Sequence, residues 1–167
     1  ELIVKTGIAE AIARQLGGLK GNRNAIAETI ENNVRRKIIK EHLTDPAFYE
    51  KMSAQLQEII ELRKAKAIEY EDYLKRIAEL AKRVEAGKGD DAPEKLDTPG
   101  KRALWNNLGQ NEALALQIDA TVRRVRPDGW RGVQARERVI KAALYGVLQD
   151  LAEVERIFLI VRAQTEY

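Results

Sequence analysis

An all-α fold is predicted by three features of the sequence. Apolar residues recur three or four positions apart, helix caps and breakers stand at the ends of those runs, and convincing period-2 alternation is absent. Composition agrees: 44% of residues are hydrophobic and 33% charged, but only 5% are aromatic. The core must then be built from Leu, Ile, Val and Ala, which together with abundant Glu, Lys and Arg favours helix. The expected architecture is an irregular multi-helix bundle of about seven helices. We read residues 1–167 as a single helical domain, with an N-terminal half over 1–86, a polar linker over 87–98 and a C-terminal half over 99–167.

In the first half, Leu2, Ile3, Ile8, Ala11, Ile12 and Leu16 recur at helical spacing until Gly17-Gly18 stops the run. A second helix starts near Asn24, with Ile26, Ile30, Val34 and Ile38 as an apolar stripe. Asp45-Pro46 is a start signal, because Asp caps free N–H groups and Pro fits the first turn. A long helical stretch then runs to about Ala86, with a bend or break near Ala65–Glu69. Its first face carries Met52, Leu56, Ile59 and Ile60; its second carries Tyr70, Tyr73, Leu74, Ile77, Leu80 and Val84. Glu71/Lys75 and Glu79/Arg83 have the spacing of supporting ion pairs.

Gly87 to Pro93 has linker chemistry. Thr98-Pro99 opens a helix that Gly109 ends, and Asn111 caps the next, from Glu112 to about Arg124. Pro127-Asp128-Gly129-Trp130-Arg131-Gly132 is a turn. A further helix carries Val139, Ile140, Ala143, Leu144, Val147 and Leu148. Asp150 and Glu153 have capping-box spacing ahead of a last helix with Val154, Ile157, Phe158 and Val161.

The residue inventory narrows the chemistry. There is no cysteine, which excludes disulfides and thiolate zinc sites and fits a cytoplasmic protein. No apolar run approaches the about 18–20 residues of a membrane span. Glu1 to Lys5 lack signal-peptide character and read as mid-helix, as if cut from a longer chain. Gly17 to Gly21 lacks P-loop spacing, and Gly-x-Ser-x-Gly is missing, Ser53 being the one serine. No Asp, Glu or Gln has Lys two residues later, as a PD-(D/E)xK nuclease requires. His42, the sole histidine, lies at a helix end where its charge suits the dipole. Glu71-Asp72 and Asp90-Asp91 read as solvated charge. These observations argue against catalytic, metal-binding or cofactor-binding residues in the chain.

Charge distribution offers binding candidates instead. The net charge of +3 is small. From Arg123 to Lys141, however, seven basic residues stand against two acidic ones, Asp128 and Glu137. Arg123, Arg124, Arg126, Arg131, Arg136 and Arg138 have the donor geometry for phosphate or carboxylate, and Trp130 can anchor an interface or stack on a base. The alternative is that Trp130 tucks under the turn while the arginines pair with the final helices. Arg35-Arg36-Lys37 with Lys40 form a second basic cluster, of which only Arg36 and Lys40 share a face; it reads as a solvated side paired with Glu28, Glu31 or Glu41, or as a phosphate or partner contact.

Several strings go beyond generic helix. They are Ala25-Ile26-Ala27-Glu28-Thr29-Ile30-Glu31-Asn32-Asn33-Val34-Arg35-Arg36-Lys37-Ile38-Ile39, Asp45-Pro46-Ala47-Phe48-Tyr49-Glu50-Lys51-Met52-Ser53, Tyr70 to Leu74, Asp128 to Gly132, and Val154 to Phe158 with Gln164 to Tyr167. In order and over essentially the whole chain, they resemble the C-terminal helical region of the R (motor) subunit of type I restriction-modification enzymes. The resemblance implies a parent with an N-terminal nuclease and two helicase-type ATPase domains, a site-specific deoxyribonuclease using ATP and Mg²⁺. It implies methyltransferase and specificity subunits as partners, with this region docking the motor onto their core. A second expectation is non-specific contact of Arg123–Lys141 with duplex DNA. No membrane partner is expected.

Overall fold

The computed structural model describes residues 22–167, and among them the chain is all-helical, with seven α-helices, one 3₁₀ turn and no strand. The helix expected over Leu2–Leu16, its Gly17-Gly18 stop and the Gly17–Gly21 segment lie outside the described residues. No helix among the described residues is long and apolar enough to cross a membrane. The chain divides into two compact units. The first holds 49–89 together with the described residues up to His42; the second holds 90–167 together with Leu43–Phe48.

α1 spans Arg23–Glu41, α2 spans Pro46–Lys64 and α3 spans Tyr70–Ala86; all lie in the first unit except Pro46–Phe48, the start of α2, which belongs to the second. The cap of α1 is Asn22, whose Oδ1 accepts from Ala25 N at 3.1 Å, so the helix starts just ahead of the expected Asn24. Ile30, Val34 and Ile38 are buried as expected, but Ala27 and Glu31 complete the buried face while Ile26 is only half-buried. A strict spacing of four drifts about 40° per step around a helix of 3.6 residues per turn, so it cannot stay on one face.

The expected break is real. α2 ends at Lys64, where Lys66 turns into the left-handed region (φ 54°) and its N–H donates to Arg63 O. α3 restarts at Tyr70 and buries Tyr73, Ile77, Leu80, Ala81 and Val84, and α1 packs against it. Gly87, at φ 70°, closes α3 by donating to Arg83 O. That backbone is easy for glycine and strained for most other residues. Glu79 pairs with Lys82 at 3.5 Å rather than with Arg83.

A buried acid ties this unit together. Arg63 donates from Nε and Nη2 to the two oxygens of Glu31, at 2.7 and 3.0 Å. The Tyr73 hydroxyl donates to Glu31 Oε2 at 2.8 Å. Burial and this carboxylate hold the Tyr73 hydroxyl far above its usual pKa. Three donors make a charge tolerable in a site with little water.

In the second unit, α4 spans Pro99–Asn107, α5 Glu112–Val125, α6 Gln134–Leu148 and α7 Leu151–Ala163. Each packs on the next, and α7 returns onto α4. The caps are those the sequence marks. Thr98 Oγ1 accepts from Lys101 N, Asn111 Oδ1 from Leu114 N and Asp150 Oδ1 from Glu153 N. The Glu half of the expected capping box works otherwise: Glu153 Oε2 takes Arg156, one turn onward. Ala103, Leu104, Trp105, Ile118, Val122, Ile140, Leu144, Ile157, Phe158 and Val161 form the core with Leu96, which comes from the stretch expected to be linker.

Removing Glu31 leaves Arg63 as an uncompensated, largely buried cation. Glu31→Ala is expected to destabilise the protein by about 3 kcal/mol in urea unfolding. Glu71→Ala, at an exposed position, is expected to stay within about 0.5 kcal/mol of the parent.

Candidate functional site

The basic segment expected to bind a partner lies in the second unit. The α5–α6 turn places Trp130 in the core, only 3% exposed, with its ring 5.8 Å from that of Phe158. It stands there as a packing residue under the turn. The Arg131 guanidinium covers its ring at 4.5 Å. Arg136 donates from Nη1 to Asp128 O at 2.9 Å, and Glu137 accepts from Gly132 N, so both hold the turn.

Arg123, Arg126 and Arg131 converge on residues 162–167. Arg131 donates to the carbonyls of Arg162, Gln164 and Tyr167. Arg126 donates to Glu166 O at 2.8 Å. Arg123 pairs with Asp119 through Nε and with Glu166 Oε2 through Nη2, and lies over the Tyr167 ring. The Tyr167 hydroxyl donates to Asp119 Oδ1 at 2.6 Å. Glu166 Oε1 also accepts from Gly100 N. A Cβ on Gly100 would stand 2.5 Å from that oxygen and 2.9 Å from the Tyr167 ring, so any other residue there would displace the Glu166 carboxylate and press on that ring. The run past α7 has no helix of its own to satisfy its carbonyls, and the guanidinium groups do so.

Of the candidates in this segment, Arg124 and Arg138 remain exposed and without a partner among the described residues. Lys141 pairs with Glu155 at 3.1 Å. In the first unit, Arg35 donates to Asn32 Oδ1, while Arg36 and Lys40 are exposed and unpartnered among the described residues. His42 stands at the end of α1 with Nε2 3.6 Å from Glu50. Glu71, Asp72, Asp90 and Asp91 are exposed. Among the described residues, no three His, Asp or Glu gather in metal-holding geometry.

A buried polar knot in the second unit was not visible in the sequence. Asp45 Oδ1 accepts from Phe48 N and Asn107 Nδ2, at 3.2 and 2.8 Å, and Oδ2 accepts from Asn106 Nδ2 at 2.9 Å. Asn107 Oδ1 returns to Ala47 N, and Gln164 Nε2 donates to Thr44 O. Burial pushes the Asp45 carboxyl up to about 6, against the donors that favour its charged form. Asp45-Pro46 announces the cap, but nothing local to it marks Asn106 and Asn107, some sixty residues on, as its partners.

Compared with protein-family models, with curated proteins and with solved structures, the chain matches none.

Arg131→Ala is expected to free residues 164–167. Amide exchange there should accelerate, with a stability loss of about 3 kcal/mol for the charge-assisted bonds removed. Arg124→Ala should change neither. Asp45 predicts a pH effect of defined sign. Its folded pKa lies above the unfolded value, so its contribution is full below about pH 4 and is lost as pH rises through about 6. From pH 4 to 7, Asp45→Asn should therefore gain on the parent by up to about 3 kcal/mol in urea unfolding. A pH-independent difference rejects this.

Proposed function

We propose that this chain is a non-catalytic docking module of a type I restriction R subunit, tying the ATP-dependent DNA translocase and nuclease to the methyltransferase–specificity core. The resemblance described above supplies the family. The observation that supports docking is the outer face of α6. Ala135, Arg138, Val139, Ala142, Tyr145 and Gly146 follow helical spacing and are all exposed. Val139 is 45% and Tyr145 47% exposed. A contiguous apolar stripe on a surface helix is the form that interaction faces take, with an aromatic as anchor and Arg at the margin. By contrast, the arginines of the basic segment are mostly committed to the chain's own carbonyls.

Duplex DNA is the second reading, and it rests on Arg124 and Arg138, the two free arginines of that segment. Phosphate contact by two side chains gives modest, salt-sensitive affinity.

The two readings separate in one set of variants of the whole R subunit. Val139→Glu combined with Tyr145→Glu is expected to weaken capture by the methyltransferase–specificity core at least tenfold, about 1.4 kcal/mol, with ATPase activity retained. Both side chains are already half-exposed, so the helix should tolerate the change. Undiminished capture rejects docking through this face. If Arg124→Ala with Arg138→Ala instead lowers low-salt retention of duplex DNA while capture is untouched, the DNA reading gains.

A further inference from the structure

The first unit carries a groove between α2 and α3 whose two walls have opposite hydrogen-bonding character. Its volume is about 420 Å³, within the range of small-molecule sites. The α2 wall presents Gln55, Glu58 and Ile59, and the α3 wall presents Lys75, Arg76, Glu79 and Arg83. Each set lies at helical spacing, so each is one face of its helix. Acceptors and an apolar patch stand on one side. On the other stand three cations, since Glu79 is paired with Lys82 along its own helix.

These walls do not neutralise each other. Glu58, Lys75 and Arg76 are exposed, and none forms an ion pair among the described residues. Gln55 and Arg83 each keep one buried polar atom without a partner, Oε1 of Gln55 and Nε of Arg83. Native structures leave few such atoms, because each forfeits a hydrogen bond. Both belong to side chains that line the groove. A small rotation of either, on binding, would turn a missing bond into a made one, which favours the bound state by that difference.

We propose that the α2–α3 groove binds a small zwitterion of the dipeptide class, its carboxylate on the Lys75, Arg76 and Arg83 wall and its ammonium on the Gln55 and Glu58 wall. A simple anion would leave the α2 acceptors unmet, and a simple amine would leave the α3 donors unmet. A dipeptide supplies both ends and a short apolar body for Ile59. This site is independent of the α6 face.

The test is amide chemical-shift titration of the full chain with alanyl-alanine and two capped analogues. Saturable shifts confined to α2 and α3 are expected for the free dipeptide, with a Kd of about 1 mM. N-acetyl-alanyl-alanine, which lacks the ammonium, and alanyl-alanine amide, which lacks the carboxylate, should each bind at least tenfold more weakly. Arg83→Gln and Gln55→Ala should weaken the free dipeptide similarly, while the remaining amide positions report an intact fold. No saturable shift with alanyl-alanine, or binding of either capped form as tight as that of the free dipeptide, overturns the proposal.

Discussion

A single guanidinium, that of Arg131, accepts the load of three backbone carbonyls at the end of α7 and beyond it. Helices end with unmet carbonyls, and irregular chain has no ladder to meet them. A side chain with five fixed N–H donors can serve several at once, which a lysine ammonium cannot match in geometry. Once residues 162–167 are held, the rest of the second unit follows. Tyr167 reaches Asp119, Glu166 reaches Gly100 and Arg123, and Gln164 reaches Thr44. The α4, α5 and α7 helices are thus stitched by polar bonds around the apolar core formed by Trp130 and Phe158.

The helix ends were legible because capping is local. Thr98-Pro99, Asn111, Asp150 and Gly87 act on groups three or four residues away, and each does what its chemistry implies. The targets of the arginines were not legible. Arg131 meets residues more than thirty positions on, and Asn107 meets Asp45 across an even longer separation. No period or spacing encodes such pairs. The basic segment therefore left two readings open, a surface for phosphate or partner and a set of contacts to the final helices, and most of it serves the fold. Glu31 shows the same limit from the other side. Acids default to solvent, and only the arrival of Arg63 and Tyr73 makes this one interior.

Glu31 in the first unit and Asp45 in the second are both buried carboxylates, and they solve desolvation differently. Glu31 has a cation, so charge is matched by charge. Asp45 has amide donors from Asn106, Asn107 and Phe48. Dipoles stabilise an ion less than a counter-ion does at similar distance, so burial wins and the Asp45 carboxyl titrates near neutrality. The knot around Asp45 lies wholly within the second unit, which includes Leu43–Phe48, so its protonation state bears on that unit.

The same accounting bears on function. A surface arginine that already donates to a carbonyl must break that bond before it can hold a phosphate, and the carbonyl then goes unmet. Arg126, Arg131 and Arg136 stand under that penalty and Arg123 would have to leave the carboxylates of Asp119 and Glu166, whereas Arg124 and Arg138 donate to neither. The apolar side chains on α6 carry no comparable cost, since covering Val139 and Tyr145 releases water and breaks no internal bond. Covering the outer face of α6 therefore breaks fewer internal bonds than freeing those arginines, and this difference is the physical ground on which the proposed protein contact is preferred to a polyanion.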